Sequence, residues 1–141
     1  MELCSLCHGI IDHYKKESNL FMILVYYSRT NNVKRFVNKV GEDIEIQTID
    51  EYDGFSPYIL ITPTYNFGKV PEEVDKFLET NAVNMVSVIS SGNKNWGDSC
   101  FGKAGDIISR NYTVPLVHKF ELSGNKKDVE KVDKYIESVV Q

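Results

Sequence analysis

The stretch Met22-Ile-Leu-Val-Tyr-Tyr-Ser28 is a continuous apolar run that leads into a polar loop. A strand with apolar residues on both faces is typical of a parallel sheet that helices cover on each side. The apolar residues that follow have the spacing i, i+3, i+4, i+7 of one helix face: Val33, Phe36, Val37 and Val40. Gly41 is a typical helix end. The sequence therefore predicts a strand followed by a crossover helix, the repeating unit of α/β folds.

The rest of the chain repeats this alternation of strands and helices. Continuous apolar runs at 58–62 and 85–90 predict two more strands that are buried on both faces. Apolar and polar residues alternate at 44–49 and 114–122, which predicts two half-exposed strands. The apolar faces of three further helices are Val74, Phe77 and Leu78 after Pro71, then Phe101, Ala104, Ile107 and Ile108, and finally Val129, Val132, Ile136 and Val139.

The half-exposed strands are the second and the fifth in chain order, and half-exposed strands belong at the edges of a covered sheet. We therefore predict an α/β fold, a flavodoxin-like doubly wound five-stranded parallel sheet of order 2-1-3-4-5 with helices on both faces. The connection at 50–56, between the second and third strands, is too short for a full crossover helix.

Length and composition favour one globular domain. The 141 residues are 42% hydrophobic, and 16 Lys and Arg against 20 Asp and Glu give a net charge of −4. A mildly acidic domain repels phosphate backbones and anionic lipids, which argues against nucleic acid and membrane partners. The N-terminus lacks a secretory pattern, and no apolar run reaches the roughly 18 residues that span a bilayer. Three cysteines are too few for a disulfide framework, so a reducing cytoplasm is expected.

Residues 1–21 differ from the rest because they lack apolar periodicity. We interpret them as an N-terminal tail or a start-site artefact that precedes a domain at 22–141. The segment Cys4-Ser-Leu-Cys7-His8 has the C-x-x-C-H spacing of haem c attachment, but attachment of haem c implies export. A zinc site formed by Cys4, Cys7 and His13 would lack a fourth ligand, so no metal site is predicted.

Ligands of a doubly wound sheet bind outside the carboxyl ends of the strands, next to the point where the strand order reverses. Three loops should meet there, after the first, third and fourth strands. They are called here loop 1 (residues 28–33), loop 2 (residues 63–68) and loop 3 (residues 91–98). We expect these loops to converge on one site.

Loop 1 has the residues of an anion site. It runs into a helix start, where free N–H groups and the helix dipole favour negative charge. The hydroxyls of Ser28 and Thr30 and the amide of Asn32 can add donors. Capping of the helix by Thr30 or Asn31 is an equally good interpretation, because caps use the same residue types.

Loops 2 and 3 combine aromatic, amide and Gly residues: Tyr65, Asn66, Phe67 and Gly68 in loop 2, and Asn95, Trp96 and Gly97 in loop 3. Aromatic rings stack on a flat heteroaromatic ligand, and Gly lets the backbone approach it. These loops therefore favour a flat ring as the ligand. The alternative interpretation is that Phe67 and Trp96 cover the core.

Other proteins of similar topology need residues that this chain lacks. A receiver domain needs acidic residues after the first and third strands, where this chain has Tyr27-Ser28 and Thr62-Pro63. The P-loop pattern GxxxxGK[ST] is absent from the sequence. A cysteine phosphatase needs Arg six residues after its Cys, but Cys100 is followed at that spacing by Asp106. His118 lies among apolar residues of the fifth strand and is interpreted as a satisfied core histidine.

Three motifs resemble the NrdI family, the flavodoxin-like stimulatory proteins of class Ib ribonucleotide reductase. They are Asn-Phe-Gly at 66–68 with Val70-Pro71, Ser-Gly-Asn-Lys-Asn-Trp-Gly-Asp at 91–98, and His-Lys-Phe-Glu-Leu-Ser-Gly at 118–124. The resemblance covers residues 22–141. It implies FMN as cofactor and the manganese-containing small subunit of the reductase as partner. It also implies an activator rather than a stand-alone enzyme, supplied with electrons by a flavin or thiol reductant system.

In this family, reduced flavin reacts with O₂, and the oxidant drives assembly of the dimanganese–tyrosyl radical cofactor. The resemblance implies that loop 1 holds the phosphate and that loops 2 and 3 line the ring. The cofactor-binding residues that it assigns are Ser28, Arg29, Thr30, Asn31, Asn32 and Val33, then Thr64, Tyr65, Asn66, Phe67 and Gly68, and finally Ser91, Gly92, Asn93, Trp96 and Gly97.

Two residues depart from the flavodoxin pattern. Asn31 stands where the phosphate loop usually has Gly, and Asn tolerates the left-handed backbone region better than most residues. Asn66 stands where some relatives have Gly near flavin N5, which makes a peptide flip beside the ring costlier. A general electron-transfer flavodoxin is the alternative function, and a binding module that has lost the flavin is a third.

Overall fold

The computed structural model describes residues 22–41 and 44–140. The strands are β1 (Ile23–Tyr26), β2 (Glu45–Thr48), β3 (Tyr58–Thr62), β4 (Met85–Gly92) and β5 (Leu116–Glu121). The helices are α1 (Asn32–Val37), α2 (Glu72–Asn81), α3 (Lys103–Tyr112) and α4 (Lys126–Val140), with short 3₁₀ turns at Ala82–Asn84 and Lys94–Trp96. Every predicted strand and helix is present, with ends that differ by a few residues. The predictions for residues 1–21 lie outside the described residues.

The five strands form one parallel sheet of order β2-β1-β3-β4-β5, which confirms the predicted fold class. β3 is buried at every position, and β1 and β4 are buried at most of theirs. The edge strands β2 and β5 are mostly half-buried. The contrast between continuous and alternating apolar residues therefore predicts the strand order correctly.

Helices cover both faces of the sheet. On one face, α1 and α4 pack over side chains that include Leu24, Ile59 and Ile89. Phe36 of α1 stacks on Phe120 of β5 with a ring-centroid distance of 3.9 Å. On the other face, α2 and α3 pack over a second set of buried side chains, which includes Ile23, Val25, Tyr58, Leu60 and Val88.

Helix α1 ends earlier than the sequence predicts. It stops at Val37, although Val40 is still buried in the core. The chain then turns at Gly41, which has φ 68°, and a Cβ at this position would lie 2.5 Å from Cγ2 of Ile44. Gly41 is therefore required both by the backbone conformation and by the close approach of the next segment.

The connection between β2 and β3 has no helix, as expected from its length. Tyr52 covers part of this face instead, because its ring packs edge-on against Tyr58 at 4.9 Å and Phe77 at 5.5 Å. The Tyr52 hydroxyl donates to the Ser56 carbonyl at 2.6 Å.

Among the described helices, none is long and apolar enough to cross a bilayer.

Asp53 holds the turn that follows Tyr52. Its carboxylate accepts the backbone N–H groups of Phe55 and Ser56, both at 2.9 Å, and the Ser56 hydroxyl at 2.6 Å. Burial of the carboxylate raises its pKa, but the hydrogen bonds from Ser56 and Phe55 outweigh this effect. The pKa of Asp53 therefore lies below its ordinary value.

We expect Asp53→Asn to lower the free energy of unfolding by about 1 kcal/mol at pH 7, allowing for solvent screening of an exposed carboxylate. A lowered pKa stabilises the fold above the pKa of the unfolded state, and this stability is lost as pH falls through the folded value. Urea unfolding of both proteins between pH 7 and pH 3 measures the difference. The difference in free energy of unfolding should shrink toward zero as the pH falls to 3. A difference that stays constant with pH would contradict the stabilising role of the Asp53 carboxylate. Asp50→Asn, in the same connection, is the control.

Candidate functional site

The carboxyl ends of β1, β3 and β4 lie at one edge of the sheet, and the structure brings their loops together there. The guanidinium carbon of Arg29 in loop 1 lies 5.5 Å from the ring centroid of Tyr65 in loop 2. The ring of Phe67 in loop 2 meets the ring of Trp96 in loop 3 edge to face, with centroids 4.8 Å apart. The three loops therefore form one continuous surface, with aromatic contacts at both junctions.

Loop 1 bends sharply before α1. Asn31 has φ 69° and ψ 0°, so the residue that replaces the usual Gly adopts the left-handed conformation that Asn tolerates. Its side chain forms no capping hydrogen bond. The Ser28 hydroxyl accepts the backbone N–H of Lys34 at 3.2 Å instead. The alternative interpretation, in which the side chain of Thr30 or Asn31 caps the helix, is wrong: within the described residues neither forms a capping hydrogen bond, and Ser28 forms one instead.

This arrangement leaves donors at the start of α1. No acceptor among the described residues takes the backbone N–H groups of Asn32 and Val33. The Asn32 side-chain oxygen is engaged by Arg35 at 3.3 Å, while Thr30 and Arg29 are exposed. Free N–H groups, a hydroxyl and a guanidinium in one bend are the donor set that a phosphate requires.

Loop 2 is a tight turn closed by paired backbone bonds. Tyr65 N donates to Lys69 O at 2.8 Å, and Lys69 N donates to Tyr65 O at 2.6 Å. The tip has positive φ at three successive residues: Asn66 at 41°, Phe67 at 57° and Gly68 at 101°. The left-handed region costs most residues other than Gly roughly 1–2 kcal/mol, and Asn tolerates it better, so Phe67 is the strained residue of the tip.

Two contacts hold the tip of loop 2 against the start of α3. The Cys100 thiol donates to the Phe67 carbonyl at 3.2 Å. The side chain of Lys103 lies under Gly68, where a Cβ would be 3.2 Å from its Cβ and Cδ atoms. Within the described part, the Asn66 carbonyl and the Phe67 N–H take part in no backbone hydrogen bond. This peptide therefore offers one acceptor and one donor for the edge of a flat ring.

Tyr65 points away from the loop surface. Its ring packs against Tyr27 with centroids 6.4 Å apart, and its hydroxyl is buried without a hydrogen-bond partner among the described residues. Burial, reinforced by the neighbouring Tyr27, raises the pKa of Tyr65 well above its ordinary value. The neutral side chain braces loops 1 and 2, and the backbone groups of Tyr65 are already bonded within the turn, so Tyr65 would support a ring site rather than contact the ring.

Loop 3 presents the indole of Trp96. The Asn93 side chain accepts the N–H of Asn95 at 2.9 Å, and Gly97 follows the 3₁₀ turn with φ 93°. Trp96 is 54% exposed and Phe67 is 70% exposed. The interpretation that these two rings cover the core is wrong, since both lie on the surface at the junction of loops 2 and 3.

Three predicted site residues support the loops from behind. Ser91 and Gly92 belong to β4 rather than to a loop, and Ser91 is buried. A Cβ at Gly92 would lie 2.5 Å from the backbone nitrogen of Gly102, so only Gly lets β4 approach α3 there. The Thr64 hydroxyl accepts the N–H of Ala104 at 3.2 Å and thereby caps α3.

Sequence patterns alone missed Lys103 and Cys100 as neighbours of the loop 2 tip, because no local periodicity signals contacts between separate loops.

His118 is half-buried, and its Nε2 pairs with a carboxylate oxygen of Asp128 at 2.6 Å. The interpretation as a satisfied core histidine is right about the partner, but the side chain is half-buried at the rim rather than in the core. The potential metal ligands Cys4, Cys7 and His13 lie outside the described residues.

The chain is similar to known proteins over most of its length. The family described as NrdI Flavodoxin like matches residues 24–134. A protein named Protein NrdI from Macrococcus caseolyticus is 44% identical over 119 residues, 84% of this chain and 91% of the relative. Another Protein NrdI, from Bacillus licheniformis, is 44% identical over 119 residues, 83% of this chain and 88% of the relative.

Solved flavodoxins share the fold. A short-chain flavodoxin associated with a bacterial microcompartment superposes with a TM-score of 0.69 at 21% identity, covering 84% of this chain and 96% of that chain. Oxidised flavodoxin 1 from Bacillus cereus gives a TM-score of 0.61 at 19% identity, with the same coverage of both chains. The chain belongs to the NrdI flavodoxin-like family, and FMN is the cofactor that this membership implies.

Proposed function

We propose that this chain binds FMN at loops 1, 2 and 3 and activates class Ib ribonucleotide reductase. In this proposal it supplies the oxidant for assembly of the dimanganese–tyrosyl radical cofactor of the manganese-containing small subunit. The observation that carries the proposal is the exposed pair of Phe67 and Trp96 on loops 2 and 3, which follow β3 and β4 as the donor-rich bend of loop 1 follows β1. When bound and reduced, FMN supplies the electrons that reduce O₂ to the oxidant.

The residues of loop 1 would hold the FMN phosphate. The N–H groups of Asn32 and Val33 have no acceptor among the described residues, and the Thr30 hydroxyl is exposed beside them. Arg29 is exposed as well and would balance the phosphate charge. Asn31 would support the site through its left-handed backbone rather than through its side chain.

Loops 2 and 3 would hold the two sides of the flavin ring. The peptide between Asn66 and Phe67 would donate to and accept from the ring edge, while Gly68 and Gly97 keep the backbone close. Asn93, whose oxygen already accepts the N–H of Asn95, would position the loop that carries Trp96.

The aromatic pair also favours an activator over a general electron carrier. An electron carrier needs only an exposed ring edge. A protein that hands an oxidant to a partner also needs a seal against water, and exposed aromatic rings at the rim can supply one on docking. The proposal includes a cytoplasmic location, a flavin or thiol reductant system as electron donor, and an accessory role rather than independent catalysis.

We expect Thr30→Val to weaken FMN binding by roughly ten- to a hundredfold, because it removes one donor to a charged phosphate. Titration of the flavin-free protein with FMN, followed by flavin fluorescence, measures the effect. Thr80→Val, on the exposed part of α2, is the matched control and should bind FMN like the wild type. Unchanged affinity in Thr30→Val would move the phosphate site away from loop 1.

We expect Trp96→Ala to weaken binding of the small subunit by about thirtyfold or more, since truncating a central aromatic often costs about 2 kcal/mol or more. Binding is measured at saturating FMN, which separates docking from loss of the cofactor. Phe55→Ala is the control, because Phe55 is 75% exposed but lies before β3, at the opposite edge of the sheet. Equal losses in both variants would exclude a specific docking role for Trp96.

The proposed reaction is tested by mixing the reduced FMN-loaded protein with the manganese-loaded small subunit and O₂. Electron paramagnetic resonance should then detect the tyrosyl radical. A protein that binds FMN but produces no radical with its cognate subunit would favour the general electron carrier. A purified protein without the visible absorption of flavin, even after incubation with FMN, would favour a binding module.

A further inference from the structure

Residues 118–124 form the third motif that resembles the NrdI family, but they lie in none of the three loops. Most of it belongs to β5 and to the turn that follows, at the edge of the sheet. The carboxyl end of β5 nevertheless contacts loop 3 and its junction with α3 at separate points. These contacts give the motif a physical role that the binding residues themselves do not explain.

The first contact holds the end of the junction between loop 3 and α3. The Lys119 ammonium donates to the Phe101 carbonyl at 3.1 Å and to the Asp106 carboxylate at 2.6 Å. Its aliphatic stem lies over Gly102, where a Cβ would be 2.8 Å from Cδ of Lys119. The next carbonyl, that of Gly102, accepts the buried Ser90 hydroxyl at 2.7 Å. Two consecutive carbonyls are therefore fixed by side chains of β4 and β5.

The second contact holds the beginning of loop 3. The Glu121 carboxylate accepts the backbone N–H of Lys94 at 3.1 Å. The next residue, Leu122, donates its N–H to the Gly92 carbonyl at 3.0 Å. Trp96 lies between the segments that are held in this way, only two residues after Lys94.

The alternation of a strand explains why both side chains reach loop 3. Lys119 and Glu121 are two residues apart on β5, so their side chains leave the same face of the sheet. They pair in register with Ser90 and Gly92 of β4, the strand that leads into loop 3. From one face of the sheet, Lys119 therefore donates to a backbone carbonyl at the end of this loop region, and Glu121 accepts a backbone N–H at its beginning.

We propose that Lys119 and Glu121 are positioning residues that hold loop 3, and with it Trp96, in the conformation that receives the flavin. The proposal rests on the proposed FMN site. Neither residue needs to touch the cofactor. Their effect is to restrict loop 3 before binding, so that less conformational entropy is lost when the ligand arrives.

Four variants separate positioning from general stability. Lys119→Met keeps the aliphatic stem but removes the donors, and Glu121→Met removes the acceptor at similar size. Glu121→Gln keeps an oxygen that can accept the N–H of Lys94 and is the conservative rescue. Lys39→Met is the matched control, because the Lys39 ammonium also donates to a backbone carbonyl, but to that of Gly124 at 3.2 Å rather than to a carbonyl of loop 3 or of its junction with α3.

The chain contains a single Trp, so its fluorescence reports the mobility of loop 3 when it is excited at a wavelength that the eight Tyr residues do not absorb. In flavin-free protein, Lys119→Met and Glu121→Met should both lower the residual fluorescence anisotropy of Trp96. They should also weaken FMN binding about tenfold, while Glu121→Gln and Lys39→Met stay within about twofold of the wild type. Circular dichroism checks that each variant is folded, and each Met variant tests its contact independently of the other.

Unchanged Trp96 anisotropy together with unchanged FMN affinity in both Met variants would overturn the proposal. A similar loss in Lys39→Met would also overturn it, because the effect would then be one of general stability. If the wild type itself does not bind FMN, the proposed site fails, and the anisotropy of the flavin-free variants still decides whether Lys119 and Glu121 hold the loop.

Discussion

Burial of three parallel strands on both faces is the constraint on which the rest of this structure depends. β1, β3 and β4 can be buried in this way only if helices cover the sheet on each side and if β2 and β5 occupy the edges. The parallel arrangement brings the carboxyl ends of all five strands to the same end of the sheet. Loops 1, 2 and 3 follow the buried strands, so they meet at this end of the sheet. The rigid strands support all three loops.

The loops are held in place by protein contacts that require no ligand. Arg29 lies over Tyr65, Cys100 donates to the carbonyl of Phe67, and Thr64 caps α3. Such contacts offset the cost of the left-handed backbone at Phe67, roughly 1–2 kcal/mol, whereas Asn31 and Asn66 tolerate this conformation better. A site that is restricted before binding loses less conformational entropy when the cofactor enters.

Loop 1 does not share the net negative charge of the whole chain. The whole chain has a net charge of −4, but residues 28–33 contain Arg29 and no carboxylate. This local difference suits an anionic phosphate despite the overall charge. Phe67 and Trp96, on the loops that follow β3 and β4, are exposed and give the same end of the sheet an apolar surface. A cofactor site and a docking surface can therefore share one edge of the sheet without separate domains.

Much of the fold could be predicted from the sequence, because burial on one or both faces leaves a direct pattern in apolar residues. The runs at Tyr58–Thr62 and in β1 predict central strands, and the alternation in β5 predicts an edge. The loops are less predictable. Asn31 is a residue type that tolerates a left-handed bend, but no residue type signals the left-handed backbone of Phe67. Contacts such as that between Lys119 and Phe101 join distant segments, and local periodicity cannot predict them.

A crystal structure of the FMN complex tests most directly whether loops 1, 2 and 3 form the cofactor site. The phosphate should lie against the N–H groups of Asn32 and Val33, and the ring should lie between loops 2 and 3, near the peptide that joins Asn66 and Phe67. The backbone of loop 1 should keep the left-handed bend at Asn31 seen here. A phosphate bound away from residues 28–33, or a ring that contacts neither loop 2 nor loop 3, would contradict this assignment.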